Sequence, residues 1–173
     1  MATVVGAVGL AGYAVEVGRR RGHWSTDPAW HLFVIGGLAS SITWFVLGIG
    51  VAAGRILALG ADSAAWSLDT VVAPLVVGWV GLAVIASGSH LLPAIGPGDQ
   101  AAHARQRAVL GRWSLLRLLA ANAGVALLAV GLPMPVDAAS TAGLVLVAIA
   151  FGSTAVLIAI AIGIGLPRRR QPD

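Results

Sequence analysis

The sequence has no cysteine. That absence excludes disulfides, iron–sulfur clusters, c-type haem attachment and a type-1 copper centre, each of which needs cysteine sulfur. Lysine is missing too, so all 11 basic residues are arginine. They cluster at the edges of apolar runs instead of lining one exposed face, which excludes nucleic acid as an expected partner. Charged residues make up 10% of the chain, where soluble domains carry about 25%. No phosphate-binding Walker loop, nucleophile elbow or HExxH zinc helix occurs, and no helix carries a pair of carboxylates, so hydrolytic and phosphate chemistry lack their residues. The apolar runs also hold no acidic residue at mid-depth, which leaves a proton or ion pathway poorly supplied.

What is present is apolar length. The 173 residues are 58% hydrophobic with a mean hydropathy of +0.90, spread over long runs parted by short polar gaps, as repeated bilayer crossings read. The pattern predicts an all-α, polytopic bundle of about five transmembrane helices in a single domain, over residues 2–17, 29–57, 70–92, 113–132 and 140–166. The first run is the shortest, and its basic residues Arg19, Arg20 and Arg21 follow it, which reads as an uncleaved helix. Glu16 is expected to pair with them. Asp27 and Pro28 are expected to cap and start the second helix, while Pro93 and the turn Gly96-Pro97-Gly98 are expected to stop the third. Pro74 should distort the early turns of that helix. Residues 99–111, rich in Ala, Gln and Arg, read as a cytoplasmic or interfacial helix.

Five crossings put Arg19 to Arg21, the group Arg105, Arg107, Arg112 and Arg117, and Arg168 to Arg170 on one side, with Arg55 alone on the other. The positive-inside bias then places the clusters and the C-terminus in the cytoplasm and the N-terminus outside, in a bacterial inner membrane. Trp24, Trp30 and Trp113 fall near the inner interface and Trp66 near the outer one, as an aromatic belt requires. Small residues recur along the helices, with Gly50 and Gly54 forming GxxxG. Close packing within the chain is the first expectation for them and contact between copies or partner chains the second.

Few residues carry chemistry. His31 and His90 fall near the cytoplasmic ends of antiparallel helices and therefore at similar depth. Imidazole can ligate haem iron or copper, or it can simply hydrogen-bond to lipid, backbone or its counterpart. Arg117 is expected to snorkel to lipid phosphate, with an anionic or quinone-like head group as the sharper alternative. Asn122 can bridge helices, and the mid-helix Trp44 and Trp79 each need an acceptor for the indole N–H. His23 and His103 read as solvated loop residues.

Three stretches carry a family resemblance: APLVVGWVGLAVIASGSHLLPAIGPG at 73–98, AAHARQRAVL at 101–110 and RLLAANAGVALLAVGLP at 117–133. They resemble the membrane region attached to some large bacterial multicopper oxidases, itself similar to the nitric-oxide-response membrane proteins grouped with haem-copper oxidase subunits. The likeness covers most of this chain but corresponds to the second half of that region, without its histidine-bearing first half and without a cupredoxin domain. His90, in GSHLLP, is the one candidate histidine on a matching segment. The resemblance implies a non-catalytic anchor or assembly partner for a redox protein. A haem-, copper- or quinone-binding electron-transfer subunit using His31 and His90 is the alternative, and a small-molecule permease the third.

Overall fold

The computed structural model describes residues 27–60, 69–134 and 136–166, together with Gly12 and Glu16. The crossing expected over 2–17, with Arg19 to Arg21, His23, Trp24 and Trp66, otherwise lies outside the described residues. Those described form helices, turns and no strands. In chain order they are α1 (Pro28–Leu59), α2 (Asp69–Val72), a π-helical stretch (Ala73–Gly81) that runs directly into α3 (Leu82–Ile95), α4 (Gln100–Leu110), α5 (Ser114–Gly131) and α6 (Asp137–Gly165). Among the described residues four stretches are long and apolar enough to cross a bilayer: Pro28–Leu59, Ala73–Ile95, Ser114–Gly131 and Asp137–Gly165. At 1.5 Å per residue, the 32 residues of α1 extend about 48 Å, longer than the roughly 30 Å hydrocarbon core.

Each spanning helix buries a narrow seam. On α1 the inward positions are Trp30, Val34, Gly37, Ser41, Trp44 and Gly48, all buried except the half-buried Trp44. On α6 they are Gly143, Val147, Ala150, Thr154, Leu157 and Ala161. The steps of four and three residues are those of helices packed side by side with left-handed supercoil. Lipid supplies no hydrophobic drive between helices, so close approach must. The α5–α6 pair, the most extensive interface in the bundle, shows how: a Cβ on Gly124 would stand 2.9 Å from the Gly143 carbonyl oxygen, and one on Gly143 would stand 2.9 Å from that of Gly124. At these two glycines the backbones touch.

The third crossing is distorted in its early turns, as Pro74 was expected to make it, but it does not stop at Pro93. Pro74 lies at the start of the π-helical stretch. Without an N–H, and with a ring that crowds the carbonyl four residues back, it is accommodated by wider turns. Pro93, expected to end the helix, lies inside it instead; α3 continues to Ile95, and Gly96 ends it in extended conformation with its N–H on the Leu92 carbonyl at 2.8 Å.

The α4 helix follows at once. The Asp99 carboxylate accepts the Ala102 N–H at 2.7 Å, the expected role of an N-cap aspartate. Ala102, Gln106 and Leu110, one turn apart, are buried, so α4 lies with one face on the bundle. Leu110 joins Trp30 and Val34 of α1 and Leu157 and Ala161 of α6 in one apolar cluster.

Candidate functional site

Most of the polar side chains that the structure buries lie at the end of the bundle where α1 begins, α3 and α6 end, and α4 lies across. The first piece of this end follows from Pro93. Proline lacks the N–H that would bond to the carbonyl of Ser89, four residues earlier. That carbonyl instead accepts the indole Nε1–H of Trp30 at 2.8 Å. A side chain from α1 thus replaces the missing backbone donor of α3, which is why the helix passes through Pro93. Trp30 is buried, and not an interfacial belt residue as expected.

Both candidate histidines pack on the same indole. His90 stacks on it with centroids 5.6 Å apart and planes at 18°, and His31 meets it edge-on at 4.6 Å. Contact with one indole puts both at the same end of the bundle. His31 Nδ1 is 3.0 Å from the Asp27 carbonyl oxygen, while His90 is exposed. Among the described residues no three of His, Cys, Asp and Glu gather around one metal position. What the two imidazoles share is their contact with the Trp30 indole.

Asp27 does not cap α1 with its side chain. Its carboxylate is drawn to the α4 cation Arg107, whose Nε donates to it at 2.6 Å. The Arg107 guanidinium carbon also stands 5.9 Å from the Trp30 ring centroid, within cation–π range. The pair fastens the start of α1 to α4.

Arg117 overturns the snorkelling expectation. It is 4% exposed; Nε donates to the Arg112 carbonyl at 3.1 Å, one terminal nitrogen to Thr154 Oγ1 at 3.1 Å and the other to the Leu110 carbonyl. Leu110 is the last residue of α4, so its carbonyl has no donor within the helix. A cation there also meets the negative end of the helix dipole. The guanidinium carbon lies 3.8 Å from the Phe33 ring centroid. One side chain therefore joins α4, α5 and α6 and rests on α1.

Gln106, fully buried, repeats the theme. Its Nε2 donates to the carbonyls of Pro97 and Ala161, each at 3.1 Å, tying the α3–α4 turn to α6. His103 is not a solvated loop residue: it sits on α4, half-buried, with Nε2 3.2 Å from the Gly96 carbonyl oxygen. Deeper in the bundle the expected bridge by Asn122 is present. Trp44 Nε1 donates to Asn122 Oδ1 at 2.9 Å, and Asn122 Nδ2 donates to Ser40 Oγ at 3.1 Å and to the Leu118 carbonyl at 2.8 Å.

Sequence reasoning singled out His31, His90 and Arg117 and found their common end of the bundle. It missed Trp30, Gln106 and Thr154 as hydrogen-bonding residues. A signal existed for Gln106, a lone amide in the i, i+4, i+8 buried stripe of an otherwise small and apolar helix face. None existed for Thr154, whose partner is distant in sequence.

Fold and network together define a multi-pass α-helical membrane protein whose polar side chains fasten its helices. Comparison with protein-family models, with curated proteins and with solved structures finds no match.

Proposed function

We propose that the chain is a non-catalytic membrane module of a bacterial inner membrane, an anchor or assembly partner whose client is the redox protein implied by the sequence resemblance. One observation carries this reading. The buried donors at the polar end go mainly to backbone carbonyls of neighbouring segments: Trp30 to Ser89, Gln106 to Pro97 and Ala161, Arg117 to Leu110 and Arg112. Side chains so used set helix positions, and a stable shape is what an anchor contributes.

A second reading has its own support. His31 and His90 share the Trp30 indole, which favours a haem, copper or quinone held at that end. There the two imidazoles would be the ligands, and Arg117 would stay with its internal partners. The test is purification from native membranes in mild detergent, followed by an optical spectrum, metal analysis and identification of co-purifying chains. The anchor reading expects a colourless chain with a partner in fixed stoichiometry that carries the redox centre. A Soret band or bound copper that stays with the isolated chain and disappears in His31→Ala and His90→Ala would replace it with the second reading. A solitary, colourless chain would refute both.

A further inference from the structure

Away from the histidines, an open cavity of about 600 Å³ lies between α4 and the last turns of α6, lined by Arg105, Ile160, Gly163, Ile164 and Leu166. Its size is in the usual range for ligand sites. Among the described residues the lining is amphipathic, with one cation on α4 and branched aliphatic side chains on α6. A side chain at Gly163 would meet nothing within 4 Å, so the space is open on the α6 side. The walls are fixed by Gln106, which bonds the α6 backbone at Ala161, and by the contact of Gly165 with the carbonyl of Pro97, where any Cβ would overlap that oxygen.

Of the described arginines at this end, Arg105 and Arg112 are exposed, and Arg105 is the one that lines the cavity. Arg107 is paired with Asp27, Arg117 is buried on carbonyls, and the Asp99 carboxylate, which accepts the Ala102 N–H, forms no ion pair with Arg105 among the described residues. Arg105 is exposed and has no hydrogen-bond or ion-pair partner among the described residues. It lies on α4 with Arg107, the other arginine of that helix, at the end of the bundle that the arginine bias assigns to a membrane face.

We propose that this cavity is a binding site for one anionic phospholipid, with the head-group phosphate on Arg105 and an acyl chain along Ile160 and Ile164. Basic pockets between helices at a membrane face take anionic head groups for this reason. A free anion would leave the aliphatic wall unused, and a zwitterionic lipid would carry its own cation to Arg105. The inference needs only the membrane setting and is independent of the anchor reading.

Native mass spectrometry of the full chain, titrated with dioleoylphosphatidylglycerol, tests it, with dioleoylphosphatidylcholine and inorganic phosphate as separate arms. One phosphatidylglycerol should be retained per chain, in preference to phosphatidylcholine, and phosphate should not compete. Arg105→Gln should weaken retention about fivefold, the factor that about 1 kcal/mol for one interfacial arginine represents. Gly163→Leu, which fills the cavity, should abolish it while circular dichroism stays that of the parent. Arg112→Gln, at an exposed arginine outside the cavity, should have little effect. Equal loss in Arg105→Gln and Arg112→Gln would mean diffuse surface charge and overturn the proposal. So would competition by inorganic phosphate or no preference between the lipids. Unchanged retention in Arg105→Gln would overturn it as well, even where Gly163→Leu does not fold.

Discussion

Replacing Trp30 by Phe tests the claim that an indole substitutes for the amide that Pro93 lacks. Phe keeps an aromatic face toward His31, His90 and Arg107 but removes the only donor found on the Ser89 carbonyl among the described residues. Ser89 is completely buried, so no water is at hand. An unsatisfied buried carbonyl costs about 1–3 kcal/mol. Measured interhelical hydrogen bonds in membranes average nearer 0.6 kcal/mol, with a maximum of about 1.7. A loss of about 1 kcal/mol attributable to the bond is therefore expected, on top of the smaller ring's lost packing. The packing part is removed by a cycle. Pro93→Ala restores a backbone N–H that can bond the same carbonyl, so Trp30→Phe should cost about 1 kcal/mol less in the Pro93→Ala background than in the parent. The readout is reversible unfolding in mixed detergent micelles followed by circular dichroism, which does not depend on the fluorescence of the six tryptophans. Equal cost in the two backgrounds would show that the indole and the missing amide are not coupled.

Arg117→Gln should lower stability by about 2–4 kcal/mol, because two carbonyls lose charge-assisted donors inside the bundle; Arg117→Lys should recover only part of it, since a point charge cannot reproduce the planar fork. A thermal unfolding midpoint equal to the parent's in Arg117→Gln would show that the guanidinium is not holding α4. Gly124→Leu should break the α5–α6 hairpin, detected as loss of the monodisperse folded species on size exclusion. Gly50→Leu should be tolerated in the same assay, because a Cβ at Gly50 meets nothing within 4 Å. Reporter fusions after Arg107 and Arg170 should report cytoplasm and those near Ser63 and Asp137 the outside, following the arginine bias; an outside signal at Arg107 would reverse the orientation.

The spans were legible because hydropathy reports a property of each segment by itself. Runs expected at 29–57 and 140–166 became Pro28–Leu59 and Asp137–Gly165, with ends moved by a few residues where caps decide. The Asn122 bridge was legible in kind, since an amide within the bilayer needs a partner and an indole at similar depth needs an acceptor. Three readings failed for one shared reason. Pro93 as a stop, Asp27 as a cap and Arg117 as a snorkelling cation each assume that a polar defect is settled within its own helix or by solvent. The partners that settle them lie 59, 80 and 37 residues away, at Ser89–Trp30, Asp27–Arg107 and Arg117–Thr154. Local pattern does not contain that information. The GxxxG of Gly50 and Gly54 is the converse case: the motif is plain in sequence, yet neither glycine approaches a neighbouring helix among the described residues.

The two prolines of the third crossing create the same defect and receive different remedies, and both involve α1. At Pro93 the freed carbonyl is bonded by Trp30. At Pro74 the backbone widens into π turns over Ala73–Gly81, and Trp44 enters against them, so close that a Cβ on Gly78 would lie 2.5 Å from its Cγ. Trp30 and Trp44 are separated by about four helical turns and so share a face. That face is the buried seam of α1, which means that a single register of α1 serves both sites. Trp44 then passes the connection on to α5 through Asn122, while Phe33 of the same helix carries the Arg117 guanidinium. A shift of α1 along or around its axis would withdraw Trp30 from Ser89, Trp44 from Asn122 and Phe33 from Arg117 together. The bundle is therefore fixed at several depths by one helix, and any motion of α1 that a partner induced would reach the third crossing, α5 and the α4 end at once.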